Sequence, residues 1–441
     1  MPWKQLFANP RLQQVIATAL EKNQDLRATL ANVASARAEY HVERSYQLPT
    51  LAASGSGSIQ RQIDHGGNAS SGTQAGSSTV GGGYQSFSGS VGFSSFELDL
   101  FGRLKNQSRE QFETYLSSES GYRSARLTLV ANVATAYATL ASDRDLLKLA
   151  QDTATSAQRT VDLNRTLFKS GLAAGSDIAT AETVLEQAKS DVASQTTLVA
   201  QDRNALDLLV GEHVGDDLLP ASLSELDTTI GQVPAGLSSD VLLRRPDVVE
   251  AEHSLKATYA QIGAARAAFF PTISLTGALG AASTALSSLF DKGNLIWSAS
   301  SSVSQTIWGG TNKGNLEYAK AQREYYLSQY RYAVQSAFKD VADALARRGT
   351  ITDQRQAQDR LVDASNRSYK AYDDQYRAGT GTLIDALSAQ RTLYSAQQTR
   401  ISTVLADLTN RITVYSAIGS DDSLGKLPDL TYEAGDGKTA P

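Results

Sequence analysis

The chain has 441 residues, with 41 Lys and Arg against 46 Asp and Glu, and no cysteine. Disulfides and thiolate metal sites are thereby excluded, and a formal charge of -5 argues against a nucleic-acid partner. His41, His65, His213 and His253 are scattered without metal-ligand spacing, and a single methionine weakens any Cu(I)-handling reading, so no metal or other cofactor is expected. No apolar run approaches the ~20 residues of a membrane-spanning helix. No signal peptide opens the chain, and Met1-Pro2-Trp3-Lys4 reads as the start of a trimmed mature chain.

Residues 11–47 keep a helical period through Leu12, Val15, Ile16, Ala19, Leu26, Leu30 and Val33, and Pro49 ends it. A strand is expected over 50–62, with Leu51, Ala53 and Ile59 on one parity. A Gly, Ser, Asn and Thr stretch over 63–83 follows, as a flexible loop. The return strand spans 84–100. Its apolar parity switches after Phe93, which leaves room for a bulge near Ser94-Ser95. A long helix is expected over 101–170, where Val133, Leu140, Leu147, Ala154, Val161 and Phe168 recur every seven residues. At about 1.5 Å per residue it would be roughly 100 Å long.

Ser170-Gly171-Leu172-Ala173-Ala174-Gly175-Ser176 breaks this helix. A second helix over 176–212 carries Ile178, Leu185, Val192, Val199 and Leu206 at sevens. A strict seven-residue repeat specifies helices that coil side by side, and the short break makes them an antiparallel hairpin. Residues 213–240 lose the period and form a connector. Beyond it come a helix over 247–270, started by Asp247 and stopped by Pro271, strands over 272–280 and 294–308, and a long helix over 311–378 with a bend at Arg347-Arg348-Gly349. A last helix spans 382–418, and a polar tail 420–441.

The chain thus repeats itself. A shift of 208 places Gly171 on Gly379, Asp177 on Asp385, Ala181 on Ala389 and Gly211 on Gly419. A shift of 222 places Asp25 on Asp247 and Pro49 on Pro271. Residues 1–212 and 241–419 are two copies of one unit, and Gly, Asp and Pro match at helix ends, where chance composition would not put them.

Four strands of this length suit a membrane β-strand, which needs ~9–11 residues. Apolar residues alternating with small polar ones suit a wall between lipid and water. Four strands do not close a barrel, and an open edge in lipid is costly, so several copies would have to share one. The narrow apolar stripes of the helices suit the wall of a water-filled bore. The same pattern also fits a soluble four-stranded sheet on a helical bundle, that is, a periplasmic coiled-coil scaffold or adaptor without a pore.

The order helix, strand pair, long helix, turn, helix, written twice, resembles the TolC/OprM-type outer-membrane efflux factors. Leu242-Leu243-Arg244-Arg245-Pro246-Asp247-Val248 and Ala264-Ala265-Arg266-Ala267-Ala268-Phe269-Phe270-Pro271 resemble the NodT-like lipoprotein branch of that family. Tyr376-Arg377-Ala378-Gly379-Thr380 with Asp385 resembles its second hairpin turn. The resemblance implies a mainly α protein with transmembrane β-strands: a homotrimer whose twelve-stranded β-barrel stands on a periplasmic α-helical barrel. It implies a location in the outer membrane of a Gram-negative bacterium, in contact with its lipid. It also implies the role of a passive, non-enzymatic exit duct for drugs or other small molecules, docked through a periplasmic adaptor protein to an inner-membrane transporter of RND type. Relatives in the lipoprotein branch carry a lipidated cysteine, and this chain has none.

The working part is then the periplasmic tip. Asp177, Asp373, Asp374, Tyr376, Arg377 and Asp385 are the candidates for its gate, because in a trimer each carboxylate becomes a ring of three that favours cations. Asp177 and Asp385 also suit helix N-termini, where a carboxylate is stabilised by about 0.3–1 kcal/mol, and both roles fit. Gly171, Leu172, Gly175, Gly379, Thr380 and Gly381 are the candidates for the turns presented to the adaptor. Some relatives tether the pore shut with an arginine two residues after the glycine matching Gly379. Here that position is Gly381 and the nearby arginine is Arg377, so the tether is expected to be rewired or absent.

Overall fold

A computed structural model describes residues 2–61, 83–233, 238–419 and 421–424. The loop expected over 63–83 and most of the tail expected over 420–441 lie outside the described residues. The helices are α1 (Trp3–Leu6), α2 (Pro10–Lys22), α3 (Gln24–Ser45), α4 (Arg103–Lys169), α5 (Gly175–Val210), α6 (Leu223–Thr229), α7 (Pro246–Ala267), α8 (Thr311–Arg377) and α9 (Leu383–Ile418). The strands are β1 (Leu51–Arg61), β2 (Gly83–Glu97), β3 (Thr272–Ser283) and β4 (Leu295–Ser304).

Two compact units result, and they do not follow the sequence repeats. One draws on Met1–Ala34, Leu116–Glu252 and Ser328–Pro441, the other on Ser35–Tyr115 and His253–Leu327. Each takes material from both copies, because the strand pairs of the two copies hydrogen-bond to each other.

In the second of these units the four strands form one antiparallel sheet in the order β1-β2-β3-β4. Side chains alternate between the faces of a strand, and the register sorts them. Ala53, Val91, Leu279 and Trp297 stand abreast in one row across all four strands. The row beside it, on the other face, begins with Ser54, Ser90 and Gly280, with Ile296 as its one large member. On that small-residue face three serine pairs link β1 to β2 through their hydroxyls: Ser54 with Ser90 at 3.0 Å, Ser56 with Ser88 at 2.8 Å, and Ser58 with Ser86 at 2.8 Å.

The bulge lies between Phe93 and Phe96. Ser95 takes a left-handed φ of 55° there, and its N–H donates to Thr276 Oγ1 at 3.1 Å. By absorbing the parity switch, the bulge keeps Phe93 and Phe96 on the same apolar face, opposite Gly277 and Leu275. Gly92 is required on the other face, since a Cβ there would lie 2.3 Å from the Gly277 carbonyl oxygen. At the strand ends Phe101 stacks on Phe270, with ring centroids 4.7 Å apart.

On α4 the Glu110 carboxyl is pushed up from 4.5 to about 7, first by burial and then by Glu43 on α3. The folded state therefore holds this proton more tightly than the unfolded chain. The stability it contributes is complete below pH 4.5 and lost as pH rises through about 7. Allowing for partial solvent screening, Glu110→Gln is expected to be about 1–2 kcal/mol more stable than the parent at pH 8 and equal to it near pH 4. Thermal unfolding at the two pH values checks this, and an equal difference at both would refute it.

The other unit holds the turns of the helical hairpins and the helix segments leading into them. The helix expected over 11–47 is two helices, because Asn23 takes an extended conformation between α2 and α3. Its Oδ1 accepts the Leu26 N–H at 2.8 Å, which caps α3. Its Nδ2 donates to the Leu209 carbonyl at 2.9 Å, near the end of α5. The second copy repeats this clamp with a different side chain: Arg245 Nη1 donates to the Ala417 carbonyl at 2.7 Å, while its Nε and Nη2 hold Asp247 at 3.0 and 2.7 Å. The residue before α3 and the residue before α7 thus each satisfy a carbonyl at the end of a hairpin helix, where a helix leaves such groups free.

α8 continues as one helix through Arg347-Arg348-Gly349. Arg348 Nη1 donates to the Val233 carbonyl at 2.7 Å, so its charge serves the connector. The connector itself contains α6, which an ionic network pins down. Asp227 accepts from Arg355 Nη1 at 2.9 Å and from Arg411 Nη2 at 3.0 Å. Asp407 accepts from the same two guanidiniums at 3.0 and 2.6 Å, and Arg411 Nη1 also donates to the Ile230 carbonyl at 2.9 Å. The start of the expected tail is packed: Leu424 is buried, and Asp421 accepts from Trp3 N–H and the Tyr415 hydroxyl at 2.7 and 2.6 Å.

Candidate functional site at the hairpin tips

Both hairpin turns are built the same way. α4 and α8 each end in a glycine with left-handed φ, Gly171 at 72° and Gly379 at 73°, a conformation that costs other residues about 1–2 kcal/mol. Gly171 N–H donates to the Phe168 carbonyl at 3.0 Å and Leu172 N–H to the Leu167 carbonyl at 2.8 Å. In the second copy Gly379 bonds Tyr376 at 3.0 Å and Thr380 bonds Gln375 at 2.9 Å. This paired pattern is the Schellman end, which satisfies the last free carbonyls of a helix. Leu172 is 75% exposed on the first turn. Gly381 N–H adds a 3.0 Å bond to the Gln375 carbonyl on the second, and Gly175 is the first residue of α5.

Asp177 and Asp385 both lie in the first turn of the returning helix, where Asp177 bonds the backbone before α5 and Asp385 bonds Thr382, the residue that caps α9. Asp177 Oδ2 accepts the Ala174 N–H at 3.0 Å. Asp385 Oδ2 accepts from the Thr382 hydroxyl at 2.7 Å, and Thr382 Oγ1 accepts the Asp385 N–H at 3.2 Å. Arg377 pairs with Asp373 one turn earlier on α8 at 2.8 Å. Asp374 is exposed, and its backbone carbonyl accepts the Ala378 N–H. Tyr376 reaches across to the first hairpin, where its hydroxyl donates to Asn164 Oδ1 on α4 at 2.7 Å. Burial raises the Tyr376 phenol above its ordinary range, the Asn164 bond works against that rise, and Asp177 on α5 adds to it. The geometry therefore brings Tyr376 to Asn164, pairs Arg377 with Asp373, and leaves Asp385 on its own helix start.

Asn164 was not among the expected site residues. It is fully buried and sits three residues after Val161, where the heptad calls for an apolar side chain, so a polar residue in the seam was the readable signal. A second tie lies further from the turns: the Tyr394 hydroxyl on α9 donates to Asp191 Oδ2 on α5 at 2.9 Å. Burial and then Asp191 raise that phenol. No side-chain pattern in either helix marked this pair.

Comparison with known proteins agrees with this architecture over nearly the whole chain. The family described as outer membrane efflux protein matches residues 15–212 and 237–420. The chain belongs to the outer membrane efflux protein family. TtgC of Pseudomonas putida, a toluene efflux pump outer membrane protein, is 41% identical over 419 residues, covering 95% of this chain and 84% of TtgC. The cation efflux system protein CusC of Escherichia coli O157:H7 is 35% identical over 420 residues, covering 95% of this chain and 87% of CusC. Among solved structures, the open state of the Neisseria gonorrhoeae MtrE outer membrane channel superposes with a TM-score of 0.83 at 37% identity, covering 95% of this chain and 91% of that one. As an outer membrane efflux protein it is the outer-membrane channel component of an efflux pump, and the split-faced sheet is its membrane-embedded part.

Proposed function

We propose that three copies of the chain join edge to edge into a twelve-stranded barrel and form the passive exit duct of a tripartite pump. A periplasmic adaptor links the duct to an inner-membrane transporter of RND type, which supplies the energy. The observation that carries this reading is the sheet itself. Among the described residues β1 and β4 are both open edges, and unpaired backbone groups facing hydrocarbon cost several kcal/mol each. Edge-to-edge closure removes that cost, turns the apolar row of Val91, Leu279 and Trp297 to lipid, and turns the serine face to water. The names of the relatives range over toluene, antibiotic and cation efflux, which suits a duct that leaves selection to the pump. The purified protein should have the detergent-corrected mass of a trimer and give discrete conductance steps in a planar bilayer. A monomer without conductance would sink this reading.

The tip is the gate in this proposal, with Asp385 and Asp177 lining or flanking the constriction and Tyr376, Arg377, Asp373 and Asp374 in the contacts that hold it closed. The turns carrying Leu172 and Thr380 are the surface offered to the adaptor. Asp385→Asn keeps an oxygen acceptor for the Thr382 hydroxyl and removes only charge. It is expected to lower cation-over-anion permeability in bilayer reversal potentials. Unchanged selectivity would leave Asp385 only as a partner of the capping Thr382.

A further inference from the structure

The two hairpins differ at one pair of equivalent grooves. In the first hairpin the groove between α4 and α5 is closed from the side: Tyr376 of α8 lies over it, bonded to Asn164 and near Asp177. In the second hairpin the equivalent positions, 208 residues on, are Tyr372 for Asn164 and Asp385 for Asp177. There the groove between α8 and α9 is open, a cavity of about 400 Å³ lined by Ser365, Ser368, Tyr372, Asp385, Ser388 and Thr392. Tyr372 is 41% exposed, where Asn164 is fully buried. The residue equivalent to Tyr376 is Phe168 of α4, which is itself 50% exposed.

We infer that Phe168 of a second copy fills this groove, packing on Tyr372 and closing the seam between protomers as Tyr376 closes the seam within one. The inference rests on the trimeric reading above: a ring of three duplicated chains alternates first and second hairpins, so each open α8–α9 groove faces the α4 of the next copy. The chemistry of the two seams has changed on both sides at once. Tyr376 has a hydroxyl to satisfy and meets an amide oxygen, as a buried polar group requires. Phe168 has none and meets an aromatic ring, with small side chains around it that leave room for a phenyl group. The seam within a protomer is hydrogen-bonded, whereas the seam between protomers is an aromatic contact.

The test replaces Phe168 with the photoreactive p-benzoyl-phenylalanine in the full-length protein, illuminates it in detergent and maps the adduct by mass spectrometry. The expected result is a covalent dimer on denaturing gels, joined to the segment 361–392 of another chain. The same substitution at Tyr376 should give adducts within one chain, on the segment around Asn164. A trimeric mass with Phe168 adducts elsewhere, or only within its own chain, overturns the inference and leaves the trimer standing. A monomeric mass before illumination overturns the trimer and the inference with it.

Discussion

Leu279→Arg is expected to destabilise the membrane-embedded sheet by about 2–4 kcal/mol per chain, the cost of a guanidinium on the lipid face near mid-bilayer. Leu279 lies mid-strand in β3, in the row with Ala53, Val91 and Trp297, and is 56% exposed in the single chain. Ser56→Arg is the matched control. Ser56 pairs with Ser88 on the opposite face, where a charged side chain meets water, so it should change conductance while stability moves by less than about 1 kcal/mol. Urea unfolding in phospholipid vesicles, followed by the fluorescence of Trp297 on the apolar face, measures both variants. A larger loss for Ser56→Arg than for Leu279→Arg would mean the faces are assigned the wrong way round.

The second large effect belongs to Asp227→Ala, expected to cost about 2–4 kcal/mol, because this partly buried ion-pair network lies between the exposed and the fully buried cases. The change leaves the Arg355 and Arg411 guanidiniums sharing only Asp407, with Arg411 largely buried at 14% side-chain exposure. The Arg355 and Arg411 contacts that hold α6 to α8 and α9 through Asp227 then lose their anion. Replacing Asp227, Arg355 and Arg411 together with apolar residues of similar size should recover much of the loss, because no charge is left stranded. Thermal unfolding of the single and triple variants separates the two cases. A loss below about 1 kcal/mol for Asp227→Ala would show that solvent already carries the network.

Features set by local period were legible in the sequence, and features set by distant partners were not. The heptads through Val161 and Leu185 gave the long hairpin, and both residues are buried in its seam. The parity switch after Phe93 gave the bulge. Asn23 was read as part of one helix, because what stops the helix there includes a bond to Leu209, a residue 186 positions away. Nothing local in Arg347-Arg348-Gly349 showed that Arg348 would bond the Val233 carbonyl, 115 positions away. α6 is only seven residues long, too short to show a period, and its anchors come from α8 and α9. At the tip, the acidic residues beside the glycines could be picked out at helix starts, whereas Asn164 and the Tyr394–Asp191 pair depend on which helices become neighbours.

The sheet order has a consequence for how such a chain can be made. β2 and β3 are hydrogen-bonded neighbours, yet Ser95 and the Thr276 it bonds are 181 residues apart, and α4, α5, α6 and α7 lie between them in the chain. The β1–β2 pair is therefore exported first and has to wait, with its apolar face and a bare edge uncovered, until the far later β3 arrives. Pairings this distant form slowly, because the loop-closure entropy comes due before any contact rewards it, and an uncovered edge is a template for wrong partners. The four-stranded sheet is complete only once β4, which ends at Ser304 of the 441 residues, has been delivered.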